Sequence, residues 1–219
     1  GIPAAMYTAP AIDLKAQPGC EYLVLTSAAQ KAAAQDLALA HPDLTVMVVD
    51  LAAVYDQFGE GRFNPQPIKA YLTWLWNNNK APQYVVLAGD CAFDRTGIVP
   101  TYYSYDSLNG AVASDNWLVC LAGNDAVPEI ALGRIPSGDA AELSAYIQKV
   151  KDYTILAPQG AWEEQVLFAA DDSDGVPEDT IFPVYNAELA ALVPGGYNKV
   201  MINVENFASG PDCQAALIQ

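Results

Sequence analysis

A short apolar run that stops abruptly is the strongest constraint on the fold of this 219-residue chain. Tyr84–Ala88 is rich in β-prone and small apolar residues, and Gly89 and Asp90 follow it directly. Such a run, bounded by a turn signal, is typical of a strand buried on both faces in the middle of a parallel sheet. In open α/β sheets, ligands and reactive groups collect beyond the carboxyl ends of these strands. The sequence therefore predicts an α/β fold with a mostly parallel sheet and a candidate site near Asp90.

Composition limits the classes of protein and partner that are possible. Apolar residues make up 52% of the chain, which is enough for a sizeable core in one domain or two small ones. The formal net charge of −16 argues against a nucleic-acid partner, because its phosphates would be repelled. No apolar run is long enough to span a membrane, and the first residues lack the basic start of a signal peptide. If the protein is exported, we expect its leader to have been removed.

The four cysteines and the single histidine do not form a recognisable metal or redox motif. Cys20, Cys91, Cys120 and Cys213 show no Cys-x-x-Cys spacing, so a zinc site is not expected. Structural thiols, or one or two disulfides, are the simpler interpretations. His41 follows a predicted helix and precedes a proline, which predicts a solvent-exposed residue at a helix end.

The first third of the chain predicts a strand, a helix and a second strand. Tyr22–Thr26 is the first strand, and Ser27 with Gln30 has the spacing of a capping box for a helix over residues 28–40. Leu44–Asp50 is the second strand. This order predicts a parallel pair of strands with a right-handed crossover.

A second helix is predicted to begin near Pro65 to Pro67 and to carry aromatic residues. The helical spacing favours core packing over stacking on a sugar or a base. Trp74 lies off the predicted apolar stripe. That stripe consists of Ile68, Tyr71, Leu72, Leu75 and Trp76.

The segment from residue 91 to 123 has a different composition, in which tyrosines alternate with carboxylates. Alternation over residues 116–121 predicts a hairpin or edge strand inserted into the first subdomain. Carboxylates and loop carbonyls are the ligands that Ca²⁺ takes in proteins, although no EF-hand spacing is present. A structural calcium site and an ordinary solvated loop both remain open. The candidate calcium ligands are Asp94, Asp106, Asp115 and Asp125.

The second half of the chain predicts one more βα unit and then a new subdomain. A short strand over Glu129–Pro136 precedes a second capping box, formed by Asp139 and Glu142, and a helix that ends near Leu156. The breaking residues 158–160 divide the chain into a first α/β subdomain, residues 1–158, and the opening βαβ part of a second, residues 159–219. The second subdomain is predicted to contain a strand over 165–170, a helix over 180–192, a strand over 199–203 and the start of another helix.

Five short motifs follow one another in a characteristic order. They are Tyr84–Asp90, Gly123–Asp125, Ile130–Pro136, Lys149–Tyr153, and Trp162 ahead of Val166–Ala170. Together they resemble the catalytic domain of gingipain-type cysteine peptidases over roughly residues 20–219. The resemblance implies two side-by-side caspase-like α/β subdomains, the second incomplete here. It also implies a secreted or surface-attached bacterial protein that acts on peptides or proteins, often with bound calcium.

The same resemblance implies a catalytic dyad in the second subdomain. Its histidine would lie in a Tyr-x-Gly-His-Gly segment after the second helix, with the cysteine further along the chain. Neither segment occurs in this sequence, and Cys91 has no histidine close by in the chain. We therefore expect these residues to be a truncated or processed amino-terminal part, inactive alone, with the dyad on further residues or on a companion polypeptide.

The resemblance also implies a specificity pocket after the first strand of the second subdomain. Members that cut after basic residues place an aspartate there, and the matching position in this chain falls near Thr180 and Ile181. Asp179 is adjacent, whereas Ile181 is apolar. A preference for Arg or Lys would require a buried acidic partner, so the preference stays open.

Two functions from other classes are also compatible with parts of the sequence. Asp90 at the end of a strand could be the acceptor of a phosphoacceptor regulatory domain, although Ser27 replaces the expected acidic residue after the first strand. The chain could also be a non-catalytic binding or scaffold module that uses its tyrosine-rich loops to hold protein or glycan. A nucleotide site is not expected, because no phosphate-cradling glycine loop follows any predicted strand.

Overall fold

The structure is a computed structural model that describes residues 12–92, 97–108, 110–123, 125–156, 160–171 and 181–218, with only the backbone at 106–107 and 155–156. The chain divides into two compact units, Gly1–Ala157 and Pro158–Gln219. The first unit contains the strands β1 (Tyr22–Thr26), β2 (Val46–Asp50), β3 (Tyr84–Ala88), β4 (Tyr102–Ser107), β5 (Gly110–Ser114) and β6 (Ala131–Ile135). Its helices are α1 (Lys31–Ala34), α2 (Leu37–Ala40), α3 (Leu51–Gly59), α4 (Pro65–Asn77) and α5 (Ala140–Leu156).

A four-stranded parallel sheet is the centre of the first unit. Its strand order is β2-β1-β3-β6, and β1 pairs with β3 in a register that joins Tyr22 to Tyr84 and Thr26 to Ala88. Alternating side chains separate two apolar clusters, because Leu23 and Leu25 face α3 and α4 whereas Tyr22 and Val24 face α1, α2 and α5. Both faces of the sheet are covered, which confirms the prediction of a mostly parallel α/β sheet.

The helix after β1 differs from the prediction. The Ser27 and Gln30 capping box is wrong, because the helical segment begins at Lys31 and is divided into the short helices α1 and α2. Gln30 is buried and uses its side chain elsewhere. A helix that the sequence did not predict, α3, follows β2 directly, and the Asp50 carboxylate caps it by accepting a hydrogen bond from the Ala52 N–H at 2.9 Å.

The two longer helices follow their predicted patterns more closely. In α4, Ile68, Tyr71, Leu72 and Leu75 are buried as predicted, but Trp76 is exposed. Trp74 is partly buried, with its ring 6.4 Å from that of Phe58. Asp139 caps α5 as predicted, because its Oδ1 accepts from the N–H groups of Ala141 and Glu142, and Glu142 Oε2 returns to the Gly138 N–H, one residue before the cap.

Between β3 and β6 the chain forms an antiparallel hairpin. Strands β4 and β5 pair from Tyr102 opposite Ser114 to Ser107 opposite Gly110, with an irregularity between Ser104 and Ser107. The hairpin or edge strand predicted over residues 116–121 is wrong: those residues form no strand and begin with a 3₁₀ turn over Asn116–Leu118, because the hairpin lies earlier in the chain.

The second unit contains a smaller parallel sheet. Its elements are β7 (Gln165–Ala170), α6 (Ile181–Leu192), β8 (Asn198–Asn203) and α7 (Gly210–Ile218). Strands β7 and β8 pair in parallel, with Gln165 opposite Asn198 and Ala170 opposite Asn203. Few of its described residues are buried, chiefly Ile202, Asn203 and Cys213. In the parts of both units that the structure describes, no helix combines the length and apolarity needed to cross a bilayer.

Candidate functional site

The carboxyl end of β3 turns sharply into the loop that precedes the hairpin. Asp90 donates its N–H to the Ser137 carbonyl at 3.0 Å, and its own carbonyl accepts from the N–H groups of Ile98 and Val99. Gly89 has a φ of +148°, and a Cβ at this position would lie 2.7 Å from Ile98 Cγ2. Only glycine fits this close approach without displacing the loop. Asp90 therefore closes a loop.

Arg134, on β6, ties this loop to the end of the hairpin. Its Nε and Nη2 donate to the two carboxylate oxygens of Asp115, each at 2.7 Å. Its Nη1 donates to the carbonyls of Gly89 at 2.8 Å and Val99 at 2.9 Å. The side chains of Arg134 and Asp115 are only 12% and 26% exposed, so this bidentate pair is partly shielded from water.

The pair also sets the charge of Asp115. Burial on its own would raise the pKa of the Asp115 carboxyl, but the hydrogen bonds and positive charge of Arg134 outweigh it and hold the pKa below its usual value. Asp115 is thus an ionised partner of a guanidinium, with an Arg134 nitrogen on each of its oxygens. This arrangement does not suit a calcium ligand.

A ligand crevice is expected between the carboxyl ends of β1 and β3, where the strand order reverses direction. In this protein buried polar side chains occupy that position. Thr26 donates its hydroxyl to the Ala88 carbonyl at 2.7 Å, while Gln30 donates to the Ser137 carbonyl at 3.2 Å and accepts from the Ser137 hydroxyl at 3.1 Å. Sequence reasoning missed this network because Gln30 had been explained as a helix cap. Neither a phosphoryl group nor a nucleotide is favoured at a crevice filled in this way.

The structure does not bring His41 and Cys91 together. The His41 ring lies 4.5 Å from that of Tyr22, the first residue of β1, so it is partly buried rather than fully solvent-exposed. Cys91 follows the carboxyl end of β3, which runs parallel to β1 in register. A five-residue strand spans about 13 Å between its end Cα atoms. His41 and Cys91 therefore lie at opposite ends of the parallel strands, His41 at the amino end and Cys91 at the carboxyl end.

The other cysteines lack the environment of a nucleophile. Burial raises the pKa of the Cys20 thiol to about 11, and Cys20 packs on the opposite face of the sheet from the Tyr22 cluster. Cys120 exchanges hydrogen bonds with Asn116, donating its S–H to the carbonyl and accepting from the side-chain amide. Cys213 is buried in the second unit. All four cysteines are free thiols.

The predicted calcium ligands fall partly outside what the structure describes. Asp94 and the side chain of Asp106 lie outside the described residues, Asp115 is paired with Arg134, and exposed Asp125 accepts a hydrogen bond from the Val127 N–H at 3.0 Å. Over the described ranges no three His, Cys, Asp or Glu side chains form a metal-binding group. Calcium binding stays a prediction.

The predicted specificity pocket also falls partly outside the described residues. Asp179 and Thr180 lie outside the described residues, and Ile181 is an exposed residue at the start of α6. At the adjoining strand end, Asn186 of α6 donates its side-chain amide to the Ala169 carbonyl at 3.0 Å.

A family model described as peptidase family C25 matches residues 15–216. This chain belongs to peptidase family C25. The match covers both units and confirms the resemblance to gingipain-type cysteine peptidases that the ordered motifs carry. No curated protein sequence matches the chain.

Three solved structures share the fold. Dimeric latent PorU from Porphyromonas gingivalis superposes with a TM-score of 0.57 at 20% identity over 64% of this chain and 16% of that protein. The complex of pro- and mature domains of Porphyromonas gingivalis RgpB superposes with a TM-score of 0.54 at 14% identity. The match covers 84% of this chain and 42% of that protein. A protein described only as a protease superposes with a TM-score of 0.57 at 22% identity. The match covers 90% of this chain and 42% of that protein.

These similarities confirm the caspase-like α/β fold of the C25 chain. The chain spans less than half the length of each of these proteins.

Proposed function

We propose that this C25 chain is part of a secreted gingipain-like cysteine endopeptidase whose catalytic cysteine and histidine lie outside these residues. The family match over residues 15–216 is the observation that carries the proposal. In such an enzyme a thiolate attacks the peptide carbonyl, a histidine transfers the proton, and N–H groups stabilise the oxyanion. Peptides or proteins are the substrates, and the site of action is extracellular or on the bacterial surface.

The environment of the chain's own thiols supports placing the dyad elsewhere. A cysteine peptidase needs a thiolate with an imidazole in hydrogen-bond reach. His41 and Cys91 lie at opposite ends of the strands of the first sheet, and the raised pKa of Cys20 disfavours its thiolate.

In this proposal the two units have different tasks. The first is a rigid support, in which Arg134 and Asp115 hold the loops at the carboxyl edge of the sheet. The second contributes the substrate pocket around Asp179, Thr180 and Ile181, which lie between β7 and α6 in the sequence. A structural calcium ion held through the remaining candidate aspartates, Asp94, Asp106 and Asp125, is a further part of the proposal.

Thiol labelling of the complete parent protein tests the proposal. A biotinylated peptidyl chloromethyl ketone should label one cysteine outside residues 1–219, and labelling should abolish peptide hydrolysis. The same reagent should leave Cys20, Cys91, Cys120 and Cys213 unmodified, as mapped by mass spectrometry of the digested protein. Cys91→Ala in the parent should retain full turnover.

Two outcomes would overturn the proposal. Thiol-dependent turnover by the 219-residue chain alone, or loss of turnover in Cys91→Ala, would place the nucleophile within these residues. A parent protein that takes up no label and cleaves no peptide would instead be the non-catalytic binding module.

A further inference from the structure

A shallow groove of about 620 Å³ runs along one side of α4 in the first unit. Between Gln66 and Asn77 the helix advances by about 17 Å, because each residue adds about 1.5 Å. Trp74, which lies off the buried stripe of this helix, is part of the groove. The residues that α4 contributes follow helical spacing and are Gln66, Lys69, Ala70, Thr73, Trp74 and Asn77.

Three aromatic side chains line the groove and are held in place by the core. Phe58, Trp74 and Trp117 are partly buried, and all three pack against the apolar cluster between the sheet and helices α3 and α4. Trp117 also stacks on Tyr102, with ring centroids 4.3 Å apart and planes 13° apart. Rings that are fixed before a ligand arrives lower the entropic cost of binding it.

A lysine ammonium lies over each of these rings. The pairs are Lys15 over Phe58 at 5.3 Å, Lys69 over Trp117 at 4.1 Å and Lys80 over Trp74 at 5.2 Å from the ring centroid. A contact of this kind attracts the ammonium but does not neutralise its charge. Among the described residues, no carboxylate forms an ion pair with any of the three ammonium groups. The groove is therefore positively charged.

Positive charge is scarce in this protein, which makes its concentration here informative. The chain has ten basic residues against 26 acidic ones, and three of the ten meet at this groove. Lys80 donates to the carbonyls of Lys15 and Gln17, and Lys69 donates to the Trp117 carbonyl at 2.8 Å. Because an ammonium has three donors, Lys69 and exposed Lys15 keep donors for a ligand. Charge complementarity favours an acidic ligand at this groove.

We propose that this groove binds an extended acidic peptide segment that carries apolar side chains between its carboxylates. An extended chain advances about 3.3 Å per residue, so about five residues fill the length along α4. The ammonium groups of Lys15 and Lys69 bind the carboxylates, and the aromatic rings receive the apolar side chains. The amides of Gln66 and Asn77 can both donate to and accept from a peptide backbone. A polyanionic glycan is less favoured, because its surface offers little apolar area to three aromatic rings.

Calorimetric titration of the 219-residue chain with the blocked peptide acetyl-Asp-Leu-Glu-Phe-Asp-amide tests the proposal. We expect saturable binding with a dissociation constant below about 1 mM in about 50 mM salt. Raising the salt to about 0.5 M should weaken it, since exposed charges are then screened. The neutral peptide acetyl-Asn-Leu-Gln-Phe-Asn-amide should bind at least about tenfold more weakly.

Substitutions locate the site on the chain. Lys15→Gln and Lys69→Gln should each weaken binding of the acidic peptide by about fivefold. Lys15→Gln remains informative if loss of the Lys69 hydrogen bond alters the groove, because the Lys15 ammonium forms no hydrogen bond among the described residues. The matched control is Lys149→Gln on α5, where the ammonium lies 5.6 Å from the Tyr146 ring. It removes the same charge and the same kind of contact outside the groove, and binding should not change.

Four outcomes would overturn the proposal. They are absence of peptide binding, equal affinity of the wild-type and Lys15→Gln chains, equal affinity for the acidic and neutral peptides, and binding of chondroitin sulfate instead of the peptide. Sedimentation of the chain alone tests whether a second acidic copy is the occupant, and a dimer that Lys69→Gln dissociates would overturn it as well. None of these results bears on the proposed function, because the groove holds no part of the catalytic dyad.

Discussion

The two units are built from similar strands but bury them very differently. In the first unit all five residues of β1 are buried, and Leu87 of β3 has no exposed surface. In the second unit no residue of β7 is buried, and Leu167 is 50% exposed. Both strands are almost wholly apolar, so local sequence does not explain the difference. Burial requires helices on both faces and neighbouring strands, which the first sheet has and the two-stranded sheet lacks among its described residues.

Helix α6 of the second unit also buries its apolar side chains less than helix α4 of the first unit does. It presents apolar side chains in several directions, whereas α4 confines its fully buried residues to one stripe. A helix that is apolar all round is typical of a buried environment. The exposed large apolar side chains of α6 are Ile181, Phe182, Val184, Tyr185, Leu189 and Leu192. We therefore expect the first unit to hold most of the stability of this chain.

The largest expected effect comes from making one substitution in each unit. Leu87→Ala should lower the free energy of unfolding by about 3 kcal/mol, because it opens a cavity at the centre of the first core. Leu167→Ala should cost less than about 1 kcal/mol, because half of that side chain is already in water. Urea unfolding followed by circular dichroism measures both changes. Equal costs for the two variants would show that the second unit has a closed core of its own.

A smaller effect is expected at the Arg134 and Asp115 pair, which is specific to the first unit. Asp115→Asn should destabilise the chain at neutral pH by about 2 kcal/mol, somewhat less than for a fully buried pair because Asp115 is partly exposed. The folded-state pKa of Asp115 is lowered, so its stabilisation is complete above the unfolded value near 3.8 and is lost as pH falls through the folded value.

The pH dependence provides the decisive control for that pair. The stability difference between wild type and Asp115→Asn should be constant from pH 5 to pH 7 and should shrink below about pH 4. A difference that stays constant down to pH 2 would mean that the carboxylate charge does not contribute. Asp125→Asn, at an exposed aspartate without an ion pair among the described residues, should change stability little at any of these pH values.

Periodicity and turn signals were sufficient to predict the sheet and the longer elements. Strand β3 was found because a buried parallel strand is apolar at every position, and the start of α5 was found because the capping box at Asp139 and Glu142 is local. The bounds of β7, β8 and α4 were close for the same reason. The ordered motifs then identified the family, which no single motif could have done.

The features that were missed depend on contacts between distant parts of the chain. The sequence around Gln30 indicates a helix cap, but the hydrogen-bond partner of its side chain, Ser137, is 107 residues away. The sequence places Arg134 at the end of a strand, and no neighbouring residue predicts that the Asp115 carboxylate will pair with its charge. A cavity lined by Phe63, Gln66 and Tyr102, among others, needs both β4 and the start of α4, which are separate in sequence. Tertiary contacts of this kind have no local signal.

The smallest expected effect compares one helix cap in each unit. Asp139 caps α5 in the first unit, and Ser209, whose hydroxyl accepts from the Asp212 N–H at 3.3 Å, precedes α7 in the second. Asp139→Ala should cost about 1 kcal/mol, because a capping carboxylate also interacts favourably with the helix dipole. Ser209→Ala should cost about half as much, since its bond from the Asp212 N–H is long, the hydroxyl is uncharged, and its shorter bond to Asp212 Oδ2 at 2.6 Å is exposed to solvent.

Amide hydrogen exchange distinguishes the caps from a general loss of stability. In Asp139→Ala the amides of Ala141 and Glu142 should exchange faster while those of β3 change little, because the lost bonds are local to the first turn of α5. In Ser209→Ala the faster exchange should be confined to Asp212 and its neighbours in α7. If the second unit lacks a closed core, α7 should already exchange faster than α5 in the wild-type chain. Equal protection of the two helices before mutation would contradict the difference in burial from which the comparison begins.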